Sequence, residues 1–274
     1  MDVSEGAIGI MDSGVGGVSV LNALRKLLPY ENLIYISDSA HAPYGRRTEN
    51  EIRKTVLNNA ERLVFMGCKS LVVACNTATA IAVSVMRKRF PELPVVGLEP
   101  AVRPALAYAT ENGGDVLVLA TEVTVREERF HKLCLRYCSE YASRSDGATS
   151  PNLYSLSLQK TVEFVERKRG YSEEHTEYLR NRFLPYADKR FSAVVLGCTH
   201  FPFAVKSISE ALGYPVRFFD GADGAARRVK YLLEKNNMTR FARYEENGWL
   251  EWLDTGGRLG FAEKLRYFGR MGTV

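Results

Sequence analysis

No stretch of this chain approaches the roughly 18 consecutive apolar residues that a membrane-spanning helix needs. The opening Met1-Asp2-Val3-Ser4-Glu5 carries acid where a signal peptide would carry base. A cytoplasmic protein with no membrane partner is expected. Cysteine is sparse and odd in number: Cys68, Cys75, Cys134, Cys138 and Cys198, widely spaced and with no C-x-x-C pair. That spacing argues against a disulfide framework. Cys134 and Cys138 have only His131 nearby, at the spacing of packing positions on one helix, so no metal is expected. A dense basic stripe is also missing. The 37 Lys and Arg against 32 Asp and Glu leave a formal charge of +5, with the signs interspersed. Basic residues thicken from Arg227 to Arg243, but Glu245 and Glu246 follow at once. Nucleic acid is therefore not the expected main partner, whereas an anionic small substrate is permitted.

What is present is an ordinary globular chain. Its 274 residues suit one large or two modest domains, and 46% hydrophobic residues supply a core that a disordered chain lacks. Short apolar runs alternate with helical periodicity. Strands are expected at Ile8–Met11, Leu33–Ile36, Leu71–Ala74, Pro94–Leu98, Val116–Ala120, Leu153–Leu158, Ala193–Leu196 and Val216–Phe219. Helices are expected between them, one opened by a capping box at Thr48-x-x-Glu51 and one running over roughly Val123–Tyr141. Helical pattern also continues from the sixth run to about Leu184, and residues 143–152 read as a polar loop. The last 35 or so residues are mixed and resist assignment. Alternation of this kind means an α/β fold with a mainly parallel sheet.

Two passages share a pattern. Leu71-Val72-Val73-Ala74-Cys75-Asn76-Thr77 is an apolar strand ending in cysteine and then threonine. Ala193-Val194-Val195-Leu196-Gly197-Cys198-Thr199-His200 repeats it. Two similar α/β halves follow, the first taking 1–98 with 214–274 and the second 99–213, with the site expected in the cleft between them. Ligands of open α/β sheets bind outside the carboxyl ends of the strands, and both cysteines fall there. A lone buried cysteine is ordinary core. A pair at strand ends, each leading into a helix that lowers a thiol pKa, offers a thiolate base and a thiol acid. Such a pair suits removal of a proton from one face of a carbon and its return to the other.

Asp12-Ser13-Gly14-Val15-Gly16-Gly17 is a glycine turn between strand and helix. It lacks the G-x-G-x-x-G spacing of a dinucleotide loop and the lysine of a phosphate loop. Asp12, an acid at a strand end, reads as a hydrogen-bond partner or proton acceptor. Pro43-Tyr44-Gly45 is a turn after the second strand, and His200 stands close enough to Cys198 to tune its thiol.

These residues, together and in this order, resemble the glutamate racemase family of the aspartate/glutamate racemase superfamily. The likeness rests on Asp12-Ser13-Gly14-x-Gly16-Gly17, Pro43-Tyr44-Gly45, Ala74-Cys75-Asn76-Thr77-Ala78, Gly97-Leu98-Glu99-Pro100-Ala101, Thr121-x-x-Thr124 and Gly197-Cys198-Thr199-His200-Phe201-Pro202. It extends to Asp254-Thr255-Gly256-Gly257, nearly the whole chain. The resemblance implies cofactor-independent interconversion of L- and D-glutamate, supplying D-glutamate for peptidoglycan, by a homodimer. Cys75 would take the proton from D-glutamate and Cys198 from L-glutamate, supported by Asp12, His200 and a carboxylate that falls on Glu166, with Glu163 the alternative. Substrate contacts would fall on Ser13, Pro43, Tyr44, Gly45, Asn76, Thr77, Thr121, Thr124 and Thr199. No lysine stands in these motif positions to hold pyridoxal phosphate. The sequence departs from the family at Ser37-Asp38-Ser39, at Thr79 and in the longer loop at 143–152. Two other readings remain open: an aspartate racemase of the same superfamily, and a non-catalytic amino-acid-binding α/β protein.

Overall fold

The computed structural model describes residues 3–143, 150–240, 247–257 and 261–270. The expected long loop lies mostly outside them. Two α/β units emerge, each built on a wholly parallel sheet among the described residues.

The first unit takes Met1–Glu99 and Ala222–Gly272. It begins β1 (Ile8–Asp12), α1 (Val18–Leu27), β2 (Leu33–Ser37), α2 (Glu49–Phe65), β3 (Ser70–Val73), α3 (Asn76–Arg89), β4 (Val95–Gly97). The strands β1, β2 and β3 are buried at every position, as apolar runs covered on both faces should be. The capping box of α2 forms as expected: Thr48 accepts from the Glu51 N–H, and the Glu51 carboxylate accepts from the Thr48 N–H.

Among the described residues the second unit takes Pro100–Gly221. Its elements are α4 (Val102–Asn112), β5 (Asp115–Ala120), α5 (Glu122–Arg126), α6 (Glu128–Ala142), β6 (Leu153–Ser157), α7 (Gln159–Glu166), α8 (Glu173–Phe183), β7 (Phe191–Gly197), α9 (Val205–Leu212) and β8 (Arg217–Asp220). The single helix expected over Val123–Tyr141 is two helices. The backbone turns extended at Glu127 (φ −67°, ψ 132°), just after the β-branched run Val123-Thr124-Val125, which weakens helix propensity. The helical stretch expected up to Leu184 is likewise broken between α7 and α8. Strand β8 pairs with β7 through Ala193–Arg217 to Leu196–Asp220, so the chain re-enters the first unit at Ala222 rather than at 214.

The return brings α10 (Ala222–Lys235), β9 (Leu250–Asp254) and α11 (Phe261–Arg270). The stretch that resisted assignment thus contains a strand, β9, which lies parallel beside β2.

The spatial order of the first sheet is β4-β3-β1-β2-β9, and that of the second is β6-β5-β7-β8. Read from the other edge, the second sheet is β8-β7-β5-β6. This matches β4-β3-β1-β2 strand for strand, so the two halves share one winding and β9 is an addition to the first. In both, the chain winds outward from its first strand, crosses back, and continues on the other side. The reversal falls between β1 and β3 in one unit and between β5 and β7 in the other.

Beneath the first sheet lies a buried ion pair. Lys69 Nζ sits 2.6 Å from Glu31 Oε2, with both side chains 1–2% exposed. Lys69 also donates to the Ser4 carbonyl at 2.6 Å, and Glu31 Oε1 accepts from the Arg240 N–H at 2.8 Å.

Candidate active site

Ligands of an open α/β sheet bind at the carboxyl edge where the winding reverses. In the first unit that point is flanked by Asp12, the last residue of β1, and Cys75, just past β3. Cys75 is the N-cap of α3, so its sulfur sits at the positive end of a 14-residue helix dipole. It donates to Ser13 Oγ at 3.8 Å. Asp12 Oδ2 accepts from the Gly14 N–H at 2.9 Å, which folds the glycine turn back over the strand end. Gly17 is required there: a Cβ would stand 2.7 Å from both the Asp12 Cβ and the Tyr35 hydroxyl. That hydroxyl donates to the Gly14 carbonyl at 2.8 Å and completes the turn.

Tyr44 opens a 3-10 turn that contains Gly45, after a cis Ala42–Pro43 peptide. Its hydroxyl donates to Asp38 Oδ2 at 2.6 Å. Burial pushes the Tyr44 pKa far above its ordinary value, and the negative charge of Asp38, then of Cys75 and Asp12, pushes the same way. Tyr44 is therefore a neutral phenol facing the same acidic corner as Cys75. Asp38 is fully buried and also receives the Thr255 hydroxyl at 2.6 Å, while His41 Nδ1 lies 2.9 Å away. Asp38 is not among the expected site residues; it stands in the sequence only as the middle of Ser37-Asp38-Ser39, whose serines are the departures. The signal was the one used for Asp12, an acid at the carboxyl end of a strand. Asn76 donates to the Leu98 carbonyl at 3.2 Å, and its Oδ1 is buried with no hydrogen-bond partner. Ser13 and Thr77 are buried beside these groups in sequence.

The second unit repeats the placement with different chemistry. Thr121 follows β5 and Cys198 follows β7. Thr121 caps α5, accepting from the Thr124 N–H at 3.3 Å, and the two threonine hydroxyls lie 2.9 Å apart. Cys198 Sγ is 3.9 Å from His200 Nδ1, and His200 Nε2 is 2.9 Å from Glu166 Oε1. Thr199 is buried between Cys198 and His200 in the chain. Burial by itself would pull the His200 pKa down. The hydrogen bonds and negative charges of Cys198 and Glu166 overcome it and hold His200 well above its ordinary value. The result is a relay from carboxylate to imidazole to thiol. Glu166 is the last residue of α7, where the helix dipole disfavours a carboxylate. A stabilising role does not put an acid there, whereas a cationic partner does. Of the two carboxylates the sequence left open, Glu166 is the one that meets His200.

The family description Asp/Glu/Hydantoin racemase matches residues 8–229, a span that includes both cysteines and both of the strand-end clusters around them. The chain belongs to the Asp/Glu/Hydantoin racemase family. As a member it is an enzyme, an amino-acid racemase. A glutamate racemase of Clostridium perfringens is 39% identical over 237 residues, covering 86% of each chain. Among solved structures, glutamate racemase from Francisella tularensis in complex with D-glutamate superposes with a TM-score of 0.81 at 25% identity, over 98% of this chain and 95% of that one. Escherichia coli glutamate racemase, in complex with L-glutamate and the activator UDP-MurNAc-ala, gives 0.78 at 29% identity, over 98% and 96%.

In this racemase the remaining cysteines have another setting. Burial, and then the charge of Cys138, pushes Cys134 up to about 12. Both pack against the core under α6. Among the described residues, no group of three His, Cys, Asp or Glu side chains is arranged to hold a metal. No helix of the described residues is long and apolar enough to cross a membrane.

Proposed function

We propose that this racemase interconverts L- and D-glutamate without a cofactor, using Cys75 and Cys198 as paired acid and base on opposite faces of the α-carbon. The observation that carries the reading is the shared winding of the two sheets. It gives each half one thiol at its switch point, each with its own polar partner: Ser13, next to Asp12 in the chain, beside Cys75, and His200, backed by Glu166, beside Cys198.

The mechanism follows from what these groups can hold. With D-glutamate bound, the Cys75 thiolate takes the α-proton and the Cys198 thiol returns one to the other face. The product is L-glutamate, and the thiols have exchanged protonation states, ready for the reverse reaction. A free cysteine is only a few per cent thiolate at neutral pH, so each thiol needs help. The helix N-terminus and Asp12 serve Cys75, and the raised imidazole of His200 serves Cys198. Charge that builds on the α-carboxylate is stabilised by neutral donors: Ser13, Thr77, Thr121, Thr124 and Thr199 hydroxyls and the backbone of the glycine turns. The unpartnered Asn76 Oδ1 accepts from the substrate ammonium, and Pro43, Tyr44 and Gly45 bound the substrate on the Cys75 side. The active form is a cytoplasmic homodimer, and its D-glutamate feeds peptidoglycan and so cell shape.

Incubation with L-glutamate in heavy water tests this. Loss of optical rotation with α-deuterium in the product is expected, with no added cofactor, and aspartate in competition should leave it unchanged. Cys75→Ser and Cys198→Ser should each abolish turnover while the protein stays folded. Substantial racemisation by either variant refutes the two-thiol assignment.

A further inference from the structure

The geometry points to His175 as a positioning residue that sets the Glu166 carboxylate against His200. The inference rests on the two-thiol reading, in which His200 serves Cys198.

His175 is fully buried and lies outside every motif used so far. Its Nδ1 is 2.8 Å from the Gly170 carbonyl, which can only accept, so Nδ1 carries the proton. Its Nε2 is then an acceptor and takes the Thr161 hydroxyl at 3.0 Å. Burial lowers the His175 pKa and keeps the ring in this neutral form. Phe164 stacks on the ring at 4.6 Å with a 23° interplanar angle. Thr161 and Phe164 both belong to α7, the helix that ends in Glu166. The imidazole therefore grips α7 by a hydroxyl and an aromatic face together.

The grip is anchored at the other end. His175 lies in the first turn of α8, where its N–H is held by the Ser172 cap. The next residue, Thr176, donates to Ser207 Oγ at 3.0 Å and ties α8 to α9, the helix that follows the His200 turn. Gly170 is pressed on that turn as well, since a Cβ there would meet the Phe203 carbonyl at 2.6 Å, and Phe203 bonds back to the His200 carbonyl. A closed circuit results. It runs from Glu166 along α7 to Thr161, across His175 into α8, through Thr176 and Ser207 to α9, and back along the turn to His200. A displacement of about 1 Å in a catalytic group costs up to a hundredfold in rate, and this circuit opposes one.

The test uses Thr161→Val, His175→Asn and Thr161→Ser in the full chain. Thr161→Val removes only the hydroxyl, His175→Asn keeps a donor for Gly170 but has no acceptor where Nε2 stood, and Thr161→Ser keeps the hydroxyl. The equilibrium constant of a racemase is one, so kcat/KM must fall equally in both directions and cannot assign a side. Elimination can. With β-chloroglutamate a single base takes the α-proton, the C–H pair forms the Cα–Cβ double bond and chloride leaves, giving 2-oxoglutarate and ammonium after hydrolysis.

Once corrected for folded fraction from urea unfolding, Thr161→Val and His175→Asn should lose about tenfold in elimination from the L enantiomer. They should keep the wild-type rate from the D enantiomer, and Thr161→Ser should retain both. The groups that set the His200 pKa are Cys198 after β7 and Glu166 on α7. The limb of the pH profile set by His200 should therefore move toward acid by about one unit in the two impaired variants. Equal losses from both enantiomers, no loss, or an unmoved limb overturn the proposal and leave His175 a core residue. Cys198→Ser is the control. If it too treats the enantiomers alike, the two-thiol reading has failed and this inference falls with it.

Discussion

Lys69→Met tests whether the buried ion pair under the first sheet is as dry as its geometry says. The substitution keeps the length of the side chain and removes the ammonium. Glu31 is then left 2% exposed with a charge and, of the contacts described above, only the Arg240 N–H. Removing one partner of a buried pair costs about 3–5 kcal/mol, because the remaining charge is stranded away from water. A unit of this size shifts its midpoint by about 2–4 °C per kcal/mol. The first unit should therefore melt about 6–20 °C lower. The chain offers a selective probe: its two tryptophans, Trp249 and Trp252, both belong to that unit. Trp252 packs on Tyr35 at 5.3 Å between centroids. Tryptophan fluorescence during heating thus reports the unit that carries the pair. The double variant Lys69→Met/Glu31→Gln removes the stranded charge and should recover more than half of the loss. A shift under about 2 °C, or a double variant no better than the single one, would mean that water reaches the pair and that the reasoning is wrong.

Three further outcomes are expected. Glu166→Gln removes a charge that helps raise His200. A raised imidazole pKa stabilises the fold below the unfolded value of about 6.5, and that gain is lost as pH rises through the folded pKa. The loss of midpoint in Glu166→Gln should accordingly be largest below about pH 6.5 and shrink on the alkaline side; the reverse dependence would contradict the charge on His200. Lys168, just past α7, holds a left-handed backbone with φ +58°, a conformation that costs a side chain about 1–2 kcal/mol. Lys168→Gly should raise stability by up to about 1 kcal/mol in urea titrations, and a loss would show that the lysine side chain matters more than its backbone. Gly17→Ala forces a methyl against Asp12 and Tyr35, so it should cost about 1–3 kcal/mol and lower kcat. Unchanged activity would show that the glycine turn does not need to hold Asp12 in place.

The parts of this molecule that were legible in its sequence are those written locally. The runs Leu71–Ala74 and Ala193–Leu196 announce buried strands because covered strands need apolar residues at every position. Thr48 and Glu51 announce a helix start because both halves of the capping box lie within four residues. Cys75, Cys198 and Asp12 stand out because a strand end is a short, recognisable place. Strand β9 was hidden because Leu250-Glu251-Trp252-Leu253-Asp254 is half-buried at a sheet edge and carries acids within it. The break between α5 and α6 was hidden because a periodic pattern continues across Glu127. The partnership of Lys69 with Glu31, the contact of Thr255 on Asp38 and the grip of His175 on α7 join residues that lie apart in sequence. No local pattern encodes them, and only the folded chain brings them together.

The discontinuity of the first unit sets an order on synthesis. Among the described residues the second unit is one unbroken segment, Pro100–Gly221, and its sheet is complete when β8 has been made. The first unit is begun earlier but finished later, since the outer edge of β2 stays open until Leu250–Asp254 arrives to pair with it. On the ribosome the half that starts second can therefore close first, while the half that starts first waits with an unpaired strand edge. An unpaired edge is a template for pairing with other chains. A chain truncated before β9 should thus keep the His200 half folded and aggregate through the Cys75 half.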